Sequence, residues 1–293
     1  MRILITGARG QVGAELMRLA PAEFDVRGLG SAQLDISDAE QVARTMNQLQ
    51  PQLIINAAAY TAVDKAENDS GHAYAVNRDG VCLLARAAEQ SGIPLLHIST
   101  DYVFCGDAGA PYTEDDATAP GGVYGASKLA GEQALAEHCS RYITLRTSWV
   151  FGATGNNFVK TMLRLGAERA TLGVVADQRG GPTASASIAL ALWHMARRYA
   201  ADGDLPWGVY HFSGAPACSW HDFAVAIFEQ AQQLGILATA PQISAITTAD
   251  YPTPARRPAN SVLDCSKLQQ AFGIAQPDWR LDLHSLLKAP LST

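Results

Sequence analysis

Short apolar runs alternate along this chain with longer stretches in which apolar residues recur every three or four positions. Arg2–Thr6 is a short apolar run, and Val12, Leu16 and Leu19 behind it repeat at helical spacing, so the chain opens as strand, turn, helix. Residues 24–29 predict a second strand, with a helix starting near Asp38. Residues 53–55 predict a third strand, 66–91 a long helical stretch, 95–98 a fourth strand, 123–132 a further helix and 142–146 the next strand. Strands and helices in strict alternation predict a parallel sheet covered by helices on both faces. The pattern then changes. Residues 156–167 read as a helix, 172–175 as a strand, 184–199 as a long apolar helix, 209–212 as a strand and 220–234 as a helix. Shorter elements punctuated by Pro241, Pro252, Pro254 and Pro258 follow.

The first turn carries T-G-A-R-G-Q-V-G. Gly7, Gly10 and Gly13 have the G-x-x-G-x-x-G spacing that lets a backbone approach a pyrophosphate and a helix pack close to its strand. The N-terminus of the helix that follows offers free N–H groups and the positive end of its dipole. The predicted fold class is therefore α/β: a Rossmann-like doubly wound parallel sheet over residues 1–150, with a smaller α/β substrate lobe on the C-terminal side. That lobe spans mainly residues 151–293, some of whose segments return to the first domain. The third strand ends in N-A-A-A-Y-T, where small residues 57–59 leave room for a ligand at the carboxyl edge of the sheet. The second strand ends at Gly30 and Ser31, where dinucleotide folds often carry an acidic residue that grips the ribose. With no carboxylate there and Arg9 in the glycine turn, NADPH is at least as plausible a cofactor as NADH.

Tyr124 and Lys128 stand one helical turn apart in V-Y-G-A-S-K-L-A-G-E. A phenol beside a fixed ammonium is expected to have a lowered pKa and to transfer a proton. Carbonyl reduction needs a second donor on the carbonyl oxygen, and Thr100 at the end of the fourth strand can supply it. Asn77, among apolar neighbours, either ties its helix to the sheet or joins a proton relay beneath Lys128, with the structural role favoured. Trp149 follows a strand end and is assigned to a base or sugar in preference to hinge packing. Trp220 and His221 are assigned to opening and packing a helix. Arg257 offers paired donors to a diphosphate, or an ion pair between lobes.

Taken together, T-G-x-x-G-x-x-G, N-A-A-A, S-T-D-Y-V-F, Y-G-x-S-K and R-T-S-W-V-F resemble the extended short-chain dehydrogenase/reductase superfamily. G-x-N-F-V-K-T-M-L, D-Q-x-G-x-P-T, W-H-D-F-A and Y-P-T-P-A-x-R-P-x-N-S extend the likeness over essentially the whole chain, and within the superfamily it is strongest to the dTDP-4-dehydrorhamnose reductases. The resemblance implies an NAD(P)H-dependent reduction of the C4 ketone of dTDP-4-dehydro-6-deoxy-L-mannose to dTDP-L-rhamnose, the last step of dTDP-rhamnose synthesis for surface polysaccharide. It implies Thr100, Tyr124 and Lys128 as the catalytic trio. Gly7, Gly10, Gln11, Val12, Gly13, Asp35, Ile36, Ala59, Tyr60 and Thr61 match cofactor contacts, joined by Tyr124 and Lys128. Thr100, Asp101, Tyr102, Trp149 and Val63 match substrate contacts, to which the reading above adds Arg257. Some relatives are metal-bridged dimers; of such a site only Glu15 is recognisable here, so no metal is assigned and a homodimer is left open.

Composition narrows the alternatives. With 293 residues, 48% hydrophobic, the chain is long enough for one large α/β domain with an attached lobe. A net charge of −6 offers no general attraction to nucleic acid or membrane. Five cysteines without a C-x-x-C pair argue against a zinc knuckle or a disulfide frame, and the cytoplasm is the expected compartment. Two other readings share the scaffold. One is a nucleotide-sugar epimerase or dehydratase, although Tyr102 stands where dehydration resembles a pattern with a glutamate. The other is a non-catalytic regulatory subunit, such as that of methionine adenosyltransferase.

Overall fold

The computed structural model describes residues 1–289. Strands β1 (Arg2–Thr6), β2 (Asp25–Leu29), β3 (Leu53–Asn56), β4 (Leu95–Thr100) and β5 (Tyr142–Thr147) come first. They are followed by β6 (Val150–Phe151), β7 (Thr171–Val175), β8 (Arg179–Gly180), β9 (Thr183–Ala184), β10 (Gly208–His211), β11 (Cys218–Ser219) and β12 (Gln242–Ile246). Six of them form one sheet in the order β10-β5-β4-β3-β1-β2, and every neighbouring pair is parallel. The chain moves outward from β1 to β2 and then returns to the other side of β1 as β3. This reversal opens a crevice at the carboxyl ends of β1 and β3, where doubly wound sheets bind ligands.

Alternation along each strand decides what covers each face. Ile3 and Ile5 of β1 face one core with Val12 and Leu16 of α1 (Gln11–Arg18), while Leu4 between them faces another. That second core is filled by Val42 and Met46 of α2 (Ala39–Leu49) and by residues of the helices that follow β3. After β3 come α3 (Val63–Ala66), α4 (Ser70–Tyr74), a π-helical turn over Ala75–Gly80, α5 (Val81–Gln90) and, beyond β4, α6 (Val123–His138). The single helix expected over 66–91 is thus divided. The interruption falls at residues 67–69, and from Ser70 to Gln90 the helical path is continuous through the π turn, which Gly131 of α6 approaches so closely that a Cβ there would stand 2.0 Å from the Asn77 carbonyl oxygen. A π turn displaces the backbone locally, a feature common at functional sites.

Beyond β5 the chain contributes to two cores. α7 (Phe158–Glu168) packs in a separate apolar cluster, which holds Phe151, Val159, Leu172, Phe223, Phe228 and Trp279. α8 (Ser185–Asp202) instead returns to the main sheet and lies against α1, with Ile188, Leu192 and Trp193 buried there. Strand β10 extends the sheet beside β5. α9 (Trp220–Gln233) and α11 (Trp279–Lys288) complete the second cluster, and α10 (Ser266–Phe272) packs on the first.

Two glycines in this region have opposite surroundings, and substitutions there should have opposite effects. Gly131→Ala improves helix propensity by about 1 kcal/mol, yet overpacking against the Asn77 carbonyl should leave it net destabilising, by about 1–3 kcal/mol. Gly71, in α4, has nothing within 4 Å of a built Cβ, so Gly71→Ala should be neutral or stabilising. Urea midpoints of the two variants check both signs; a Gly131→Ala protein as stable as the parent would refute the close-packing argument.

Candidate active site

The glycine turn is shaped by the strand beside it. Gly7 has a left-handed φ of +68°, and a Cβ there would lie 2.5 Å from the Ala58 nitrogen. A Cβ on Gly13 would lie 2.1 Å from the Gly7 carbonyl oxygen, so α1 starts tight against the end of β1. Gly10 is the N-cap of α1 and no side chain caps the helix. The first-turn N–H groups of Gln11, Val12 and Gly13 therefore face outward without an intrahelical acceptor, as an anion requires. The Arg9 side chain lies over Gly30, its Cδ 3.0 Å from where a Cβ on Gly30 would be. Asp35 is exposed and accepts hydrogen bonds from the Ser37 amide and hydroxyl, while Ile36 is buried against Gly80. These residues form a cradle suited to a dinucleotide at the topological switch point.

Asn77 clamps the loop that follows β3. Its Oδ1 accepts from the Tyr60 N–H at 2.9 Å, and its Nδ2 donates to the Tyr60 carbonyl at 3.0 Å and to Ser127 Oγ at 3.0 Å. Segment 59–61 is thereby tied to α6, one residue before Lys128. Thr61 is exposed and Val63 is partly buried beside it.

At the end of β4 the chain turns through a 3-10 segment, Asp101–Val103. The Thr100 hydroxyl accepts from the Tyr102 N–H at 3.2 Å and donates to Asp101 Oδ1 at 2.9 Å. Tyr124, in the first turn of α6, meets Tyr102 edge-on with ring centroids 5.6 Å apart. Burial pushes the Tyr124 phenol well up, the Thr100 hydroxyl opposing and the Asp101 carboxylate and Tyr102 adding to the rise. Burial likewise raises the Asp101 carboxyl to about 6, against hydrogen bonds from Ser261 and Thr100. Lys128 is 2% exposed. Its Nζ donates to the Ile98 carbonyl at 2.7 Å and faces His97 Nε2 at 3.3 Å. Burial draws the amine down to about 8, with Glu132 opposing. The expected lowering of Tyr124 by Lys128 is therefore not what this structure shows. Enclosure favours the neutral form of both groups, and the lysine is engaged by β4 instead of the phenol.

A cavity of about 730 Å³ opens beyond Tyr102, bounded by Asp64, Phe158, Gln178, Trp220 and Arg257 among others. Arg257 donates to Asp64 Oδ2 at 2.6 Å and to the Tyr102 hydroxyl at 3.3 Å, so it makes the ion pair while standing at the cavity wall. Arg164 and Arg169 also line it, giving the cavity three guanidinium groups. Trp149 has a left-handed φ of +46°, and its ring stacks on Trp220 at 3.5 Å and 6°. Trp220 lines the cavity and Trp149 backs it, which reverses the emphasis expected from the sequence. Gln178, in the D-Q-x-G-x-P-T motif, and Phe158 are cavity residues that sequence reasoning missed; the pattern placed Phe158 only within the helix over 156–167, and no spacing rule marked Gln178. Among the described residues, no group of three or more His, Cys, Asp or Glu side chains is placed to hold a metal, and Glu15 pairs with Arg18. Among the same residues no helix is long and apolar enough to cross a membrane.

The RmlD substrate binding domain family matches residues 1–291. A dTDP-4-dehydrorhamnose reductase from Aggregatibacter actinomycetemcomitans is 49% identical over 97% of this chain and 98% of its own length. Among solved structures, a dTDP-4-dehydrorhamnose reductase from Clostridium acetobutylicum superposes with a TM-score of 0.91 at 38% identity, covering 98% of both chains. A dTDP-4-dehydrorhamnose reductase from Bacillus anthracis in complex with NADP gives 0.88 at 39% identity, covering 97% of this chain and 98% of that one. With the family match, the sequence relatives and the structural neighbours agreeing over essentially its whole length, the chain belongs to the RmlD substrate binding domain family.

Proposed function

We propose that this protein reduces the C4 ketone of dTDP-4-dehydro-6-deoxy-L-mannose to dTDP-L-rhamnose with NADPH or NADH, the last step of dTDP-rhamnose synthesis. The observation that carries the reading is that Thr100 at the end of β4 and Tyr124 and Lys128 on α6, the lysine held by the Ile98 carbonyl, gather at one sheet edge that also carries an uncapped helix N-terminus and an arginine-lined cavity. NAD(P)H, when bound, supplies the hydride. Gly7, Gly10 and Gly13 leave room for its pyrophosphate, which the first-turn N–H groups of Gln11, Val12 and Gly13 would receive. Arg9, lying over Gly30 with no carboxylate beside it, suits the 2′-phosphate of NADPH. In the same reading residues 1–150 mainly hold the cofactor and 151–293 mainly the sugar nucleotide, residues 290–293 lying outside the described structure.

The chain's own groups then have distinct tasks. Tyr124, held neutral by burial, remains protonated across the physiological range and gives its proton to the C4 oxygen as the ketone becomes an alcohol. Thr100 turns its hydroxyl from Asp101 to that oxygen and aligns it. Lys128 holds the nicotinamide ribose and returns a proton to Tyr124. Arg257, with Arg164 and Arg169, meets the diphosphate of the substrate, and the Trp220 ring offers a flat wall for a base or sugar.

Tyr124→Phe removes the donor without altering the ring, and should lower kcat by about 10²–10⁴-fold while leaving the Kd for NADPH nearly unchanged. The assay is nicotinamide absorbance with dTDP-4-dehydro-6-deoxy-L-mannose as substrate; a variant that keeps its rate sinks the assignment. Arg9→Ala should raise KM for NADPH about tenfold, equivalent to about 1.4 kcal/mol, with little change for NADH. Equal effects on the two cofactors would remove the 2′-phosphate contact.

A further inference from the structure

A row of buried polar side chains runs across the sheet beneath Lys128. Thr6, Asn56 and His97 occupy neighbouring register positions on β1, β3 and β4, and all three are fully buried. The Thr6 hydroxyl donates to Asn56 Oδ1 at 2.6 Å, and the Ala58 main-chain N–H donates to the same oxygen at 3.1 Å. On its other side Asn56 Nδ2 stands 2.9 Å from His97 Nδ1, and His97 Nε2 stands 3.3 Å from Lys128 Nζ. Lys128 then donates to the Ile98 carbonyl.

The direction of this chain is set by one group that cannot reverse. A backbone N–H only donates, so the Ala58 amide requires the Asn56 oxygen on its side and the Asn56 NH₂ toward His97. A neutral imidazole that accepts at Nδ1 carries its proton on Nε2. His97 is neutral, because burial holds it well below the usual histidine range and the Lys128 charge adds to that lowering. The Nε2–H therefore points at Lys128. A neutral amine receives it on its lone pair, donates to Ile98 and keeps one N–H to spare. An ammonium has three donors and no lone pair, so it meets the imidazole donor against donor.

We propose that His97 is a positioning residue that biases Lys128 toward its neutral amine, through a tautomer imposed by the Ala58 backbone and relayed by Asn56. The other charged and titratable groups around the amine are Glu132 on the same helix, itself paired with Arg146 of β5, and Tyr124 one turn away with Asp101 beyond it; the π turn presents the uncharged Asn77. Glu132 opposes the bias, and burial acts in the same direction as His97. The consequence for turnover rests on the role proposed for Lys128: an amine that exchanges its proton near neutral pH reloads Tyr124 readily, whereas one titrating in the ordinary lysine range releases its proton too rarely.

Nitrogen NMR of the imidazoles in the unliganded wild-type protein reads the tautomer directly, without any variant. His97 should be protonated on Nε2 and bare on Nδ1; the opposite tautomer overturns the proposal. With five lysines in the chain, labelled lysine side chains give the Lys128 pKa by titration, the signal being assigned by its loss in Lys128→Met. Asn56→Asp keeps the shape but accepts from both sides, which draws the His97 proton to Nδ1 and presents a lone pair to Lys128. Its pKa should rise by one unit or more, a tenfold change in the amine-to-ammonium ratio. Because the new carboxylate also attracts the ammonium directly, the same substitution is repeated in a His97→Phe background. A markedly smaller rise there supports the relay, and an equal rise refutes it. If the Lys128 pKa moves as expected while the alkaline limb of kcat/KM stays fixed, the relay stands and the catalytic assignment of Lys128 falls.

Discussion

The site depends on how closely α6 lies against the π-helical turn. At Gly131 the helix presents no side chain, and the Asn77 carbonyl occupies the space a Cβ would need. That approach lets the Asn77 side chain reach both Ser127 on α6 and the Tyr60 main chain after β3. The helix bearing Tyr124 and Lys128 is thus coupled to the loop beside the glycine turn by side-chain hydrogen bonds. A buried ion pair, Arg146 to Glu132 at 2.7 Å, secures the next turn of the same helix against β5. Removing one partner of such a pair would leave a buried charge uncompensated, so both ends constrain α6.

Enclosure has a common electrostatic effect on the groups held there. Tyr124 and Asp101 are pushed up, and Lys128 and His97 are drawn down, and in each case burial is the largest cause. The pocket therefore favours neutral forms of all four, and two of them, Asp101 and Lys128, exchange protons nearer neutrality than they would in water. In the mechanism proposed above, a phenol that stays protonated and an amine that exchanges its proton nearer neutrality are a chemically coherent pair. The cavity wall is different in kind: Arg164, Arg169 and Arg257 line it, so the enclosed groups and the guanidinium groups occupy separate regions of one cleft.

Much of this architecture was legible in the amino-acid pattern. Alternating apolar runs and helical repeats placed the strands and helices of the sheet within a few residues, because parallel strands buried on both faces need continuous apolar stretches. The glycine trio, the Tyr124–Lys128 spacing and Thr100 at a strand end were equally visible, since each follows from local geometry: a turn, one helical pitch, the end of a strand. What pattern could not show was contact between residues distant in sequence. The close approach of Gly131 on α6 to the π turn at Asn77 joins positions about fifty residues apart, and the engagement of Lys128 by β4 comes from residues some thirty positions earlier. Trp220 lines the cavity with Trp149, about seventy residues before it in the sequence, stacked on its ring.

The sequence by itself determined the fold class, the order of its elements and the types of chemical group available at the sheet edge, for these depend on hydrophobic periodicity and short-range geometry. Only the tertiary structure decided the state of those groups. Whether a phenol or an amine is neutral depends on how much water is excluded and which partners face it, and here those partners come from β1, β3, β4 and α6 together. The polarity of the row ending at Lys128 follows from a single main-chain N–H at Ala58, a group every non-proline residue carries and whose bearing on a lysine seventy residues away exists only in the folded protein.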